Sequence, residues 1–297
     1  MSAPYRRIEV PVLGGLLTVG IWGVGEPASL LVHGITGSHL SWSLVAEKVA
    51  GDGNGLGTGT VVGVDLRGRG GSGELPGPYG MAQHADDCVS VLDALGAGRV
   101  VVAGHSMGGF VSVVLADRHP DRVSRLVLVD GGPPPPVPPG NTPQERLAAT
   151  LGPALQRLTM RFPSREAYRD QWRAHPALKT WSPAIQSYVD YDLTGTEPDL
   201  HSKVNPDAVR DDSADLQEGE ALAGGWARLR HDAVFLRAER GLLDQPMPLY
   251  PDPEPIAERM PLRTLPGTNH YTILLSEAGA GPVAAAVRDG LHSESAP

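Results

Sequence analysis

At 297 residues the chain is long enough for one large domain with an insertion, and its 41% apolar content can fill a sizeable core. The formal net charge of −9 argues against nucleic acid as a partner and gives an anionic substrate no general attraction. The single cysteine, Cys88, excludes an intrachain disulfide, and no run of about 18 apolar residues exists to cross a membrane.

The opening, MSAPYRRIEVPVLGG, has no apolar segment of signal-peptide type, so a cytoplasmic protein is expected. Arg7 to Val12 and Leu16 to Trp22 read as strands joined at Gly14-Gly15. Ser29 to Val32 is an apolar run leading into His33-Gly34-Ile35-Thr36-Gly37. Trp42 to Val49 reads as a helix and Gly51 to Thr60 as a glycine-rich loop. Val61 to Val64 is a buried strand that ends in Asp65-Leu66-Arg67-Gly68-Arg69-Gly70-Gly71-Ser72, where a charged pair and tight turns are expected. Met81 to Leu95 is helical in pattern and places Cys88 in the core.

Val100 to His119 organises the chain. Val100 to Ala103 is a β-branched run, Gly104-His105-Ser106-Met107-Gly108 follows, and Phe110, Val111, Val114 and Leu115 recur at helical spacing. Strand, G-x-S-x-G, helix is the context in which a serine sits on a strained turn with its hydroxyl clear of the sheet. The Met107 N–H then lies at a helix N-terminus, where it can stabilise a developing oxyanion.

Val123 to Val129 is a further buried strand, ending in Asp130-Gly131-Gly132. The run Pro133 to Pro139 must leave the sheet in extended form. From Thr142 to about Arg230 the periodicity is helical, starting at Thr142-Pro143 and continuing through Leu147, Leu151, Leu155 and Leu158. Helices are expected over Arg165–Ala174, Ser182–Tyr191 and Ala214–Arg230. The domains expected are thus an α/β core from 1–132 and 231–297 and an all-helical cap from 133–230, roofing the carboxyl edge of the sheet where ligands bind. Phe162, Tyr168, Trp172, Trp181, Tyr188, Tyr191 and Trp226 gather in this cap, in a chain with 5 Trp, 7 Tyr and 3 Phe. Such enrichment favours an apolar or ring-bearing substrate, with Trp172, Trp181 and Tyr188 as candidate lining residues. Asp232 to Leu236 returns to strand, Leu262 to Leu265 is the last strand, and a helix near Gly281–Leu291 ends the pattern.

On these motifs, G-x-S-x-G between strand and helix, H-G after an apolar strand, and D-x-R-G-x-G-x-S, the chain resembles the α/β-hydrolases. That group contains esterases, lactonases, C–C bond hydrolases and cofactor-free haloperoxidases. The resemblance implies a mostly parallel central sheet with helices on both faces, Ser106 as nucleophile, and the Ile35 N–H as a second oxyanion-hole donor beside that of Met107. It implies His270, behind Gly267-Thr268-Asn269 on the loop after the last strand, as the base. The acid is open. Many relatives carry it in a G-x-x-D pattern after the strand that here ends near Leu236, but Gly241 fills that place and the literal Gly241-Leu242-Leu243-Asp244 comes late. Asp130, at the end of the strand after the nucleophile strand, is the first candidate, then Asp244, then Glu239. A carboxylate there fixes the imidazole tautomer and stabilises its cation.

The expected function is hydrolysis of a carboxylic ester or lactone of a small, largely apolar substrate through an acyl-serine intermediate. A C–C bond hydrolase or haloperoxidase-like enzyme is the alternative within enzymes, and a non-catalytic small-molecule receptor the alternative outside them. No His, Cys or Asp set has metal-ligand spacing, and no G-x-G-x-x-G opens a helix after a strand, so neither metal nor nucleotide cofactor is expected. The expected partner is a small molecule, with no nucleic acid and no membrane.

Overall fold

The computed structural model describes residues 3–51, 59–134, 152 and 154–293. The strands β1 (Tyr5–Val12) and β2 (Gly15–Trp22) form a hairpin, followed by β3 (Pro27–Val32), α1 (Ser43–Ala50), β4 (Thr60–Val64) and α2 (Met81–Ala94). Then come β5 (Val100–His105), α3 (Met107–Arg118) and β6 (Val123–Val129). An insertion carries α4 (Arg165–Arg173), α5 (Pro183–Asp192), β7 (Leu193–Thr194), β8 (His201–Ser202), α6 (Pro206–Glu218) and α7 (Glu220–Arg228). After it come β9 (Ala233–Ala238), α8 (Glu254–Ala257), β10 (Leu262–Leu265), α9 (Thr272–Leu275) and α10 (Glu277–Ser293). Among the described residues no helix is long and apolar enough to cross a membrane.

Eight strands form one sheet in the order β1-β2-β4-β3-β5-β6-β9-β10. The pairs β1–β2 and β2–β4 are antiparallel and the rest parallel. The period of two explains why the central strands read as unbroken apolar runs: both faces are covered. Val62, Val102, Leu126, Leu128 and Phe235 face one cluster, together with Cys88 and Val91 of α2, Val111 and Val114 of α3, and Leu222 of α7. Their neighbours Val61, Val101, Val127, Val129 and Leu236 face another, with Val45 and Val49 of α1 and Val283 and Val287 of α10. Burial raises the Cys88 thiol pKa well above its usual value, which suits a packing role. Because β3, β5, β6 and β9 run parallel and adjacent, the segments after their carboxyl ends emerge at one edge of the sheet.

The insertion departs from the sequence reading in two ways. It is not wholly helical: β7 and β8 pair antiparallel over Leu193↔Ser202 and Thr194↔His201, too short a ladder to leave a periodic signal. The expected helix Ala214–Arg230 is two helices. Asn205 caps α6 by accepting from the Asp207 N–H, with Pro206 at the first position, so α6 begins earlier. It stops at Gly219, whose extended ψ of 123° ends the helical run before α7. The expected helix start at Thr142, Leu147, Leu151 and most of the proline run lie outside the described residues, as does most of the loop from Gly51 to Thr60. Helices α4 and α5 lie within a residue or so of the expected bounds, each capped by a serine, Ser164 and Ser182.

Candidate active site

Ser106 joins β5 to α3 with φ 54° and ψ −123°, a conformation that L side chains rarely adopt. Its N–H donates to Val129 O at 3.0 Å, and its carbonyl accepts from Gly109 N–H at 2.9 Å, so the turn is held at both ends. The two glycines of the motif are required by close approach. A Cβ on Gly104 would overlap the carbonyl of Gly108, and one on Gly108 the carbonyl of Val32. Ser106 stays part-exposed where its neighbours are buried. Met107 is the first residue of α3, whose leading N–H groups have no intrahelical acceptor.

His270 lies on the loop after β10, and its Nδ1 is 2.7 Å from Asp130 Oδ2. A carboxylate accepts, so Nδ1 carries the proton and Nε2 keeps its lone pair. Asp130 is fully buried, with φ 47° at the end of β6. Its N–H donates to Leu236 O at 2.8 Å, and its Oδ1 accepts from Ala238 N–H at 3.2 Å, which ties it to β9. His105, the residue before Ser106, donates Nε2–H to the His270 carbonyl at 2.8 Å, and the two rings are 4.6 Å apart. Burial first, and the nearby His270 second, hold His105 well below the usual histidine range, so it is neutral.

The other two acid candidates are engaged elsewhere. Asp244, at φ 62°, pairs with Lys179 and Arg240, and its Oδ1 accepts from Asn269 Nδ2 at 3.1 Å. These hydrogen bonds outweigh its slight desolvation and lower its carboxyl to about 2. The late G-x-x-D turn thus grips the residue before His270 rather than His270 itself. Asn269 also donates to Ala177 O and accepts from the Tyr271 and Thr272 N–H groups, which fixes the loop. Glu239 accepts the Gly267 N–H at 2.8 Å.

The H-G segment shows how its loop is held. Leu66 N–H donates to His33 Nε2 at 3.0 Å, so the proton sits on Nδ1, which donates to Gly34 O at 2.7 Å. Gly37 N–H reaches the same oxygen at 2.9 Å. Gly34 O and Ile35 N–H belong to one peptide plane, so these bonds orient the Ile35 N–H and polarise it. This peptide abuts Ser106: a Cβ on Gly34 would stand 3.1 Å from the serine Cβ. Burial lowers the His33 pKa to about 4, so the neutral tautomer persists at neutral pH.

The D-x-R-G segment forms its charged pairs with other elements rather than within itself. Asp65 binds His39 Nδ1 at 2.7 Å and accepts from Tyr191 OH at 2.6 Å and Gly71 N–H at 2.8 Å. Arg67 instead grips Asp87 of α2 through Nε and Nη2 at 2.7 and 2.8 Å. Each side chain finds its partner on a different element, which sequence adjacency could not reveal. In the insertion, Trp172 and Tyr188 sit in its own buried cluster, with Trp172 stacked under Arg157 at 4.5 Å and 6.3 Å from the ring of Tyr271. Trp181 is part-buried, beneath Arg173 and bonded to Gln186. Sequence reading missed His105 and Asn269 as neighbours of these residues; His105 alone carried a signal, as the middle residue of Gly104-His105-Ser106.

Comparison with known proteins fits this architecture. The chain is 39% identical over 129 residues to a Caulobacter vibrioides protein named "Putative carbamate hydrolase RutD", covering 42% of this chain and 46% of that one. It is 34% identical over 123 residues to a Mycobacterium phage D29 protein named "Putative non-heme haloperoxidase", covering 41% and 42%. The matches therefore span less than half the length of these relatives. The structure of E-2-(acetamidomethylene)succinate hydrolase superposes with a TM-score of 0.78 at 20% identity, over 97% of this chain and 100% of that one, a likeness of fold. Residues 27–176, half of the sequence, match the family described as alpha/beta hydrolase fold, and with the sheet order and the turn at Ser106 this establishes that the chain belongs to that family.

Proposed function

We propose that the protein is a serine hydrolase that cleaves a carboxylic ester or lactone of a small, largely apolar substrate. The observation that carries this reading is the 2.7 Å contact between Asp130 and His270, beside a serine held at positive φ on the turn between β5 and α3. In this reading His270 Nε2 takes the Ser106 proton as Oγ attacks the carbonyl carbon. The carbonyl π pair moves onto oxygen, where the N–H groups of Ile35 and Met107 stabilise it. Collapse expels the alcohol, protonated by the imidazolium, and water then releases the acid by the same steps in reverse. Asp130 holds the tautomer and stabilises the imidazolium. The insertion of residues 133–230 is the cap, and Trp172 and Tyr188 are its contribution to the substrate's surroundings.

A carbamate differs from an ester only in the group on the acyl carbon, and the match to a relative named for carbamate hydrolysis makes it the second substrate class to try. A panel of p-nitrophenyl esters of increasing chain length, lactones and aryl carbamates, run beside Ser106→Ala, tests the reading. The expected result is turnover of esters or lactones that falls at least a thousandfold in the variant. Turnover that survives Ser106→Ala, or wild-type protein inert to the whole panel, contradicts it.

A further inference from the structure

The loop that carries the Ile35 N–H is gripped from a second side. Arg69 is fully buried, and its Nε–H donates to the Ile35 carbonyl at 2.9 Å. Its Nη1 donates to Arg67 O at 2.9 Å and pairs with Asp212 Oδ2 at 2.5 Å. Asp212 belongs to α6 of the insertion, and neither side chain of the pair is exposed to solvent. Asp212 also accepts from Gly80 N–H at 2.7 Å and faces His84 Nε2 at 3.0 Å, so it is a fixed post. Helix α6 is pressed against the same segment: Asn205 N–H donates to Gly68 O at 2.8 Å, and a Cβ on Gly68 would crowd Ala208.

Ile35 therefore has both flanking peptides held. His33 and Gly37 hold the one that bears its N–H, and Arg69 holds the one that bears its carbonyl. A residue fixed at both planes has no freedom to turn either peptide. The guanidinium can do this because its planar fork serves the Ile35 carbonyl and the Asp212 carboxylate at once, a geometry a lysine cannot copy. Without Asp212 the buried cation has no counter-charge and must move toward another partner, releasing the Ile35 carbonyl.

We propose that Arg69 is a positioning residue for the oxyanion hole, and that its pair with Asp212 makes the geometry of that hole depend on the seating of the insertion helix α6. This rests on the acyl-serine reading above. Its consequence is that the insertion does more than shape the substrate's space: it completes the transition-state contacts, so that α6 displaced from the core leaves a site that still binds substrate but turns it over slowly.

The test uses an aliphatic trifluoromethyl ketone on the full chain. Ser106 Oγ adds to the ketone carbon, the serine proton passes to His270, and the oxygen becomes an alkoxide in the oxyanion hole. Its affinity thus reads the hole directly, while KM for an acetate ester reads mostly ground-state binding. Asp212→Asn and Arg69→Lys are expected to weaken the ketone at least tenfold and to lower kcat by a similar factor, with KM within about twofold. The double variant Arg69→Met/Asp212→Asn leaves no unpaired buried charge, so it should melt near wild type and yet bind the ketone as weakly as the single variants. Val287→Ala, which opens a cavity under α10 in the other core cluster without touching α6 or the pair, controls for loss of stability and should bind the ketone as wild type does. Ketone affinity within twofold of wild type in both Arg69→Lys and the double variant overturns the coupling alone. A wild-type protein that the ketone does not inhibit overturns the acyl-serine reading and the coupling with it.

Discussion

At the scale of single residues, the proposed chemistry turns on which carboxylate serves His270. Asp130 points at Nδ1 and is sealed from water, whereas Asp244 is spread over Lys179, Arg240 and Asn269, and Glu239 caps the Gly267 N–H. Asp130→Asn should leave the imidazole in the wrong tautomer and lower kcat by up to ~10⁴ with little change in melting temperature. Asp244→Asn keeps an oxygen for Asn269 and should cost under about tenfold, and Glu239→Gln no more than that. Comparing the three on one good ester checks the assignment, and a crippled Asp244→Asn beside a near-normal Asp130→Asn would reverse it. Ser106, His270 and the three carboxylates could all be picked out from the sequence, because a serine between strand and helix and the ends of strands have local signatures. The use to which Asp244 is put could not. It depends on where a loop 25 residues further on comes to rest, and no local pattern encodes that meeting.

At the scale of elements, the core strands were legible because strands covered on both faces must be apolar at every position, as Val100 to Ala103 and Leu126 to Val129 are. The insertion was legible as helical but not in its joints. Gly219 splits a pattern that reads as one helix, and the β7–β8 ladder is set by a turn rather than by periodicity. Trp172 and Trp181 were read alike, as candidate lining residues, and their surroundings differ. Trp172 packs toward Tyr271, the neighbour of His270, while Trp181 is half-buried beneath Arg173. Trp172→Phe should therefore shift the ratio of kcat/KM between bulky esters and acetate severalfold, and Trp181→Phe should leave that ratio unchanged. Equal losses on both classes of ester in Trp172→Phe would mean that its ring serves packing only. Phenylalanine is the substitution of choice, since emptying so buried a site to alanine would cost about 3–5 kcal/mol and confound the kinetics.

At the scale of the whole molecule, the site sits among buried titratable groups that set how the protein responds to acid. Unfolded His33 takes up a proton near 6.5, and the folded one resists until about 4, so stability falls as pH drops through that interval. Between pH 6.5 and 5 this one group should remove roughly 1.5 kcal/mol. Buried His105 acts in the same direction. Asp65 and Asp212 are both lowered to about 2, against an ordinary 3.8, because their hydrogen bonds and neighbouring cations outweigh desolvation. Their contribution is in place above the ordinary carboxylate range and is lost as pH falls toward 2. Urea unfolding at pH 7 and pH 5 should show a smaller loss in His33→Gln than in wild type, and equal losses would refute the role given to His33. The proposed hydrolase chemistry makes one central claim, that Ser106 becomes acylated during turnover, and rapid acid quench of p-nitrophenyl acetate hydrolysis followed by peptide mass analysis tests it most directly. The account predicts one acetyl group on the peptide bearing Ser106, forming within the burst of p-nitrophenol release and absent from Ser106→Ala; turnover with no acetyl on that peptide, or with the acetyl on another side chain, contradicts it.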